Sequence, residues 1–186
     1  MRCWKVLAIF ALATMSAFAG STSRRVVVSL ADHKLALVED GRMVKVYPVA
    51  VGKSNTPSPT GTFEIVARVV DPIWYGPHTV LAPGPANPLG TRWMGLSYKG
   101  FGIHGTNAPQ SVGKSASHGC IRMRKHDIEE LFDLVRVGDP VEMVNEASGE
   151  LAKLFETPAP PAKLTRVSTP RNHPAAQNGG VRGGRL

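Results

Sequence analysis

Cysteine is almost missing from this chain of 186 residues: there are two, Cys3 and Cys120. No Cys-x-x-Cys pair exists, and His118 with Cys120 two positions apart is a poor spacing for structural zinc. No disulfide framework can hold the fold, so a hydrophobic core must. A content of 42% hydrophobic against 19% charged residues excludes global disorder and supports one such core. No apolar run reaches the roughly 20 residues of a membrane span, and no internal repeat is visible. Acid is missing from both ends. Of the 22 Lys and Arg, Arg2 and Lys5 stand before residue 20, and Lys163, Arg166, Arg171, Arg182 and Arg185 follow Glu156, whereas all 14 acidic residues lie between. Nearly all of the net charge of +8 therefore belongs to the ends. A nearly neutral body argues against a nucleic-acid partner.

What is present at the ends is informative. Arg2 and Lys5, an uncharged apolar stretch from Val6 to Phe18, and Ala17-Phe18-Ala19 make the pattern of a secretory signal peptide over residues 1–19. Cleavage after Ala19 would export the protein to the periplasm or cell envelope and leave no stable membrane span; an uncleaved anchor is the alternative. Residues 157–186 carry Pro158, Pro160, Pro161, Pro170, Pro174 and two Gly-Gly pairs. They read as a disordered basic tail, either solvated or lying along an acidic envelope polymer. The folded domain is residues 24–146. Loss of Cys3 with the signal peptide isolates Cys120 in a compartment that favours disulfides. It is then a reactive thiol, half of an intermolecular bridge, or a small buried hydrophobe.

The body reads as mainly β. Arg25–Leu30 and Leu35–Val38 are strands, and Asp40-Gly41 is a strong hairpin turn before a strand over Met43–Val51. These three make an antiparallel meander. Asn55–Gly61 is a loop by composition and Thr62–Val70 a strand. Residues 71–93 hold five prolines and no periodic element; a loop that long is functional or disordered, and Trp74, Tyr75 and Trp93 favour an ordered loop covering something. Short strands at Trp93–Leu96 and Gly100–Ile103 lead to His104. One helix follows Cys120, with Ile128, Leu131, Phe132, Leu134 and Val135 at helical spacing and Asp127 as its N-cap. Gly138-Asp139-Pro140 stops it, and Val141–Val144 is the last strand.

Two segments carry chemistry: Gly102-Ile103-His104-Gly105-Thr106 and Ser115-Ala116-Ser117-His118-Gly119-Cys120-Ile121-Arg122. Arg122, Arg124 and the neighbouring histidines are cations that would lower the Cys120 pKa and enrich its thiolate. A glycine turn at Gly119-Cys120 offers backbone amides as an oxyanion hole. His104 lies sixteen residues upstream, a spacing that lets a loop bring its imidazole to the thiol for acyl transfer. A buried cysteine beside a core histidine, or a metal site, would use the same residues otherwise.

The pattern resembles a known family. Ser117-His118-Gly119-Cys120-Ile121-Arg122 after His104-Gly105-Thr106 resembles the signature of the L,D-transpeptidase catalytic domain. Val51-Gly52-Lys53 with Ser58-Pro59-Thr60-Gly61-Thr62-Phe63 is similar to a second family segment, with Ser58 where threonine is usual. Asn87-Pro88-Leu89-Gly90-Thr91-Arg92-Trp93 is similar to a third. The resemblance implies a β-sandwich-like, mostly antiparallel fold, with peptidoglycan stem peptides as substrate. Cys120 would be the nucleophile and a target for carbapenems. His104 would be the general base and acid, its ring oriented by the Gly105 carbonyl. His118, Gly119 and Cys120 would hold the oxyanion through their amides. Ser117 would shape the turn, and Arg122 would steady the site or a substrate carboxylate. A terminal D-Ala would leave, a thioester would form, and an acceptor amine would make a 3-3 cross-link. Water as acceptor would make an L,D-carboxypeptidase instead. A wall-binding module of the same fold without activity is the non-enzymatic alternative. The expected protein is a monomer that needs no metal or organic cofactor. Papain-like hydrolases place the cysteine before the histidine, opposite to the order here.

Overall fold

In the computed structural model, which describes residues 23–145 and 152–153, the elements run as β1 (Arg24–Ser29), β2 (Lys34–Glu39), β3 (Arg42–Pro48), β4 (Val51–Gly52), β5 (Gly61–Val70), β6 (Trp74–Tyr75), β7 (Val80–Leu81), β8 (Arg92–Leu96), β9 (Gly102–His104), β10 (Ser115–Ser117), β11 (Ile121–Arg122), α1 (Lys125–Leu134) and β12 (Pro140–Val144). The expected signal peptide and basic tail lie outside the described residues. The first three strands form the expected meander. Asp40 (φ 49°) and Gly41 (φ 73°) are both left-handed, as a two-residue hairpin turn with the twist of its strands requires. Val26, Val28, Leu35, Leu37 and Tyr47 face the main core. Val27, Ala36, Val38 and Met43 form a second buried cluster. Burial on both faces is why β1 and β2 read as unbroken apolar runs instead of alternating ones.

The strand expected through Val51 breaks instead after Pro48. Val49 N–H turns to the His33 carbonyl (2.8 Å), and Ala50 exchanges two backbone bonds with Arg122 (2.8 and 2.9 Å). That exchange closes the architecture. Eight strands form one sheet in the order β11-β9-β8-β5-β12-β1-β2-β3. Ala50, just beyond the last of these, meets Arg122 in the first, so the sheet curls until its edges touch. Ile65, Met94, Ile103, Ile121, Val141 and Met143 line the enclosed core, and Ile128, Leu131 and Phe132 of α1 fill it. The fold is mainly β and largely antiparallel, with the short helix α1 after the cysteine, as expected. The β1–β12, β9–β11 and β4–β10 pairs are parallel.

The helix begins two residues before the expected Asp127 cap. Arg124 occupies the N-cap in extended conformation without a side-chain hydrogen bond, and Asp127 sits in the first turn, where its charge suits the helix dipole. The sheet sets this start: Met123 N–H is held by the His104 carbonyl (2.9 Å), so the chain leaves β11 straight into the helix.

Residues 71–93 are ordered around one side chain. Asn87, 1% exposed, donates from Nδ2 to the Pro72 carbonyl (2.8 Å) and accepts the Leu89 N–H on Oδ1 (2.9 Å). It thereby ties the β6–β7 hairpin to the segment that enters β8. Asn87→Ala strands both partners and is expected to lower the unfolding free energy by about 1–3 kcal/mol. Thermal melts measure that loss, and limited proteolysis should show new cleavage within 71–93.

Candidate active site

The parallel β9–β11 pair carries the site. Ile121 lies beside Ile103 and Arg122 beside His104. Successive side chains in a strand point to opposite faces. Ile103 and Ile121, both fully buried, point into the core, so His104 and Arg122 share the other face, and Cys120, one residue before β11, falls on it too. Cys120 and His104 are then diagonal neighbours, a relation that spans roughly 7–8 Å between Cα atoms and suits long side chains. Register alone thus sets two of the residues nominated from sequence on the same face of the sheet.

Cys120 is half-buried. Its Sγ lies 3.7 Å from the Gly100 carbonyl oxygen and opens on a cleft of about 710 Å³. Val69, Pro72, Ile73, Trp74, Tyr75 and Trp93 give this cleft apolar walls. Trp74 and Tyr75 come from the proline-rich loop. Trp93, which the sequence marked as a sign of loop order, the start of a short strand and the end of a family-like segment, does more: its ring stacks on His104 with centroids 5.5 Å apart and planes 29° from parallel. A Cβ on Gly102 would stand 2.6 Å from that indole, so only glycine lets Trp93 lie there. Under this roof His104 is 4% exposed.

His104 Nδ1 is 2.6 Å from the Gly105 carbonyl oxygen. A carbonyl only accepts, so Nδ1 carries the proton and Nε2 keeps its lone pair. Burial pushes the His104 pKa down to about 4; the Gly105 carbonyl pulls the other way, and the Arg122 charge adds to the depression. Burial also raises the Cys120 thiol, outweighing the Gly102 backbone hydrogen bond and the Arg122 charge that favour the thiolate. The resting site is therefore a neutral thiol beside a neutral imidazole. The sequence suggested an enriched thiolate. Of the cations it named, only Arg122 acts on the sulfur; Arg124 and His126 are exposed at the helix start, and His118 is exposed as well.

The turn before Cys120 is fixed by hydroxyls. Ser117, fully buried, accepts the Gly119 N–H on Oγ (2.9 Å), and Ser58 donates to the Gly119 carbonyl (2.7 Å). This corrects one expectation: the Gly119 amide, assigned to the oxyanion, already has a partner. The amides of His118 and Cys120 have none among the described residues. Gly119 itself has φ 114°, and a Cβ there would lie 2.5 Å from the Phe101 ring. Arg122 makes no ion pair or side-chain hydrogen bond among the described residues, which leaves its guanidinium available beside Cys120 and His104. No three His, Cys, Asp or Glu side chains among the described residues converge as metal ligands.

Comparison with known proteins gives this geometry a family. The model of the L,D-transpeptidase catalytic domain matches residues 23–143. A putative L,D-transpeptidase, YkuD, of Bacillus licheniformis is 44% identical over 117 residues, covering 63% of this chain and 63% of that protein. A second, YqjB of Bacillus subtilis, is 39% identical over 121 residues, covering 62% and 68%. This chain thus spans under two thirds of the first relative's length. Among solved structures, an L,D-transpeptidase from Mycobacterium smegmatis aligns with a TM-score of 0.56 at 21% identity, covering 66% of this chain and 59% of its own. An L,D-transpeptidase in complex with imipenem aligns at 0.57 and 22% identity, covering 66% and 59%. At those identities the two structures speak for the fold, while the family model and the bacillar relatives carry the sequence. By its curled sheet, the helix after its cysteine and its match along residues 23–143, the chain belongs to the L,D-transpeptidase catalytic domain family.

Proposed function

We propose that this protein is an exported L,D-transpeptidase that acts on peptidoglycan stem peptides through a thioester on Cys120. The observation that carries the reading is a thiol opening on an apolar cleft, one strand away from a buried histidine whose Nδ1 is held by the Gly105 carbonyl. Cys120 Sγ attacks the carbonyl carbon that links the L-centre of the donor tetrapeptide to its terminal D-Ala, while His104 Nε2 takes the thiol proton. The His118 and Cys120 amides receive the oxyanion. The C–N bond breaks, His104 returns the proton to the departing D-Ala amine, and the thioester remains. An acceptor amine then attacks the thioester, gives its surplus proton to Nε2, and the thiol leaves and is reprotonated. Arg122, whose charge reaches both Cys120 and His104, steadies the site. Asp71, the one charged residue lining the cleft among the described residues, suits the side-chain amine of a diamino acid in the stem.

Purified protein incubated with disaccharide-tetrapeptide and followed by mass spectrometry tests this. The expected products are free D-Ala and a 3-3 linked dimer. Disaccharide-tripeptide without dimer would make water the acceptor and the protein an L,D-carboxypeptidase. Absence of D-Ala from protein with reduced Cys120 would leave only the wall-binding alternative.

A further inference from the structure

Each trans peptide unit holds its C=O and N–H in one plane, pointing in opposite directions. A hydrogen bond that fixes the carbonyl of one residue therefore also aims the amide of the next. The two unpartnered amides of the site, His118 N–H and Cys120 N–H, share their planes with the Ser117 and Gly119 carbonyls. Both carbonyls are held by one loop, residues 53–58. Thr56 Oγ1 donates to the Ser117 carbonyl (3.2 Å), which also accepts Lys53 N–H (3.1 Å). Ser58 Oγ donates to the Gly119 carbonyl (2.7 Å) and accepts Gly52 N–H (2.9 Å). Ser58 is buried, so its hydroxyl is held away from solvent, and Thr56 is half-buried. Because both carbonyls are drawn toward the same loop, both amides point away from it, to one side. The Gly119 amide between them is held by Ser117 Oγ, which leaves two donors, and they belong to alternate peptide planes.

We propose that Thr56 and Ser58 are positioning residues that aim the two oxyanion donors from behind. Neither hydroxyl touches the reacting atoms. Each locks a peptide plane, and a hydrogen bond to a carbonyl also polarises its plane and strengthens the opposite N–H as a donor. Ser58 stands where the family resemblance puts threonine, so either hydroxyl residue can supply the bond. This inference rests on the acyl-transfer reading of Cys120.

The test separates chemistry that builds an oxyanion from chemistry that does not. Acylation of Cys120 by a carbapenem passes through a tetrahedral oxyanion, whereas alkylation by iodoacetamide displaces iodide and forms none. Both rates are read by intact mass on wild type, Thr56→Val, Ser58→Ala and Ser58→Thr. Removing an oxyanion donor outright costs about 10²–10³-fold, so loosening one is expected to slow acylation by about 10-fold or more in Thr56→Val and Ser58→Ala. Alkylation should stay within about 2-fold of wild type, and Ser58→Thr should restore acylation. With tetrapeptide the loss should appear in kcat and leave KM nearly unchanged. Variants that acylate like wild type overturn the proposal, as do variants in which acylation and alkylation fall together. Thr56→Val keeps the shape of the side chain, so it still decides the matter if Ser58→Ala folds poorly. A wild type that is alkylated but never acylated overturns the acyl-transfer reading and this inference with it; an active wild type with unaffected variants overturns this inference alone.

Discussion

Cys120→Ser is expected to release D-Ala from tetrapeptide at least about 10⁴-fold more slowly than wild type, with little change in Tm. The reason lies in the neutral pair. With His104 held at about 4, the imidazole is a weak base. A thiol, even one raised by burial, is acidic enough to pass its proton to that base as the C–S bond forms, so the sulfur attacks with thiolate character. A hydroxyl is far less acidic and a far weaker nucleophile, and nothing in the site offsets this: Arg122 is the single cation acting on position 120. Serine should therefore bind substrate and stop there. The kinetics of D-Ala release by the variant, with a thermal melt as control, measure the loss. Residual activity within about 100-fold of wild type would mean that sulfur chemistry is not what the site supplies.

His104→Gln is the second large effect. Glutamine can still donate to the Gly105 carbonyl but cannot relay a proton, and a fall of about 10²–10⁴-fold in kcat is expected. The same substitution has a signature in stability. An unperturbed histidine titrates near 6.5 in the unfolded chain, and burial lowers His104 to about 4 in the folded one. Between those values the unfolded state binds a proton that the folded state refuses. The associated stability is complete above about pH 6.5 and is lost as pH falls toward 4, by about 3 kcal/mol in all. Urea melts from pH 7 to 4 should show this slope in wild type and lose it in His104→Gln. In activity, the acid limb of kcat/KM should fall near pH 4 instead of near 6.5. An acid limb near 6.5 would mean that His104 is open to solvent, in conflict with the stacked Trp93.

The local signals in the chain translated well into structure. Val26-Val27-Val28, the Asp40-Gly41 turn and the Ile128–Leu131–Phe132 stripe mark their elements because strand propensity, left-handed turn chemistry and helical periodicity act over a few residues. The pairing of β1 with β12 and of Ala50 with Arg122 was not legible, since each joins residues more than seventy positions apart. The closing bridge at Ala50 also explains why an apolar run that continues to Val51 stops being one strand at Pro48. In the candidate site, His104, Gly119, Cys120 and Arg122 could be named from residue types and order, and Ser117 from the family resemblance. The direction of the Cys120 shift could not, because the sequence lists the charges near a thiol but not how deeply the fold buries it. Ser58 was visible as a motif position. Its hydrogen bond to Gly119, and the equivalent bond from Thr56 to Ser117, depend on a loop crossing some sixty residues away in the chain.

The central claim is that Cys120 carries the acyl group during turnover. Intact-mass spectrometry of the protein quenched during reaction with disaccharide-tetrapeptide, followed by peptide mapping, tests it most directly. The account predicts an adduct equal in mass to the donor minus D-Ala, located on Cys120, formed in step with one equivalent of released D-Ala and absent from Cys120→Ser. D-Ala release without any adduct on Cys120, or an adduct on another side chain, would contradict it.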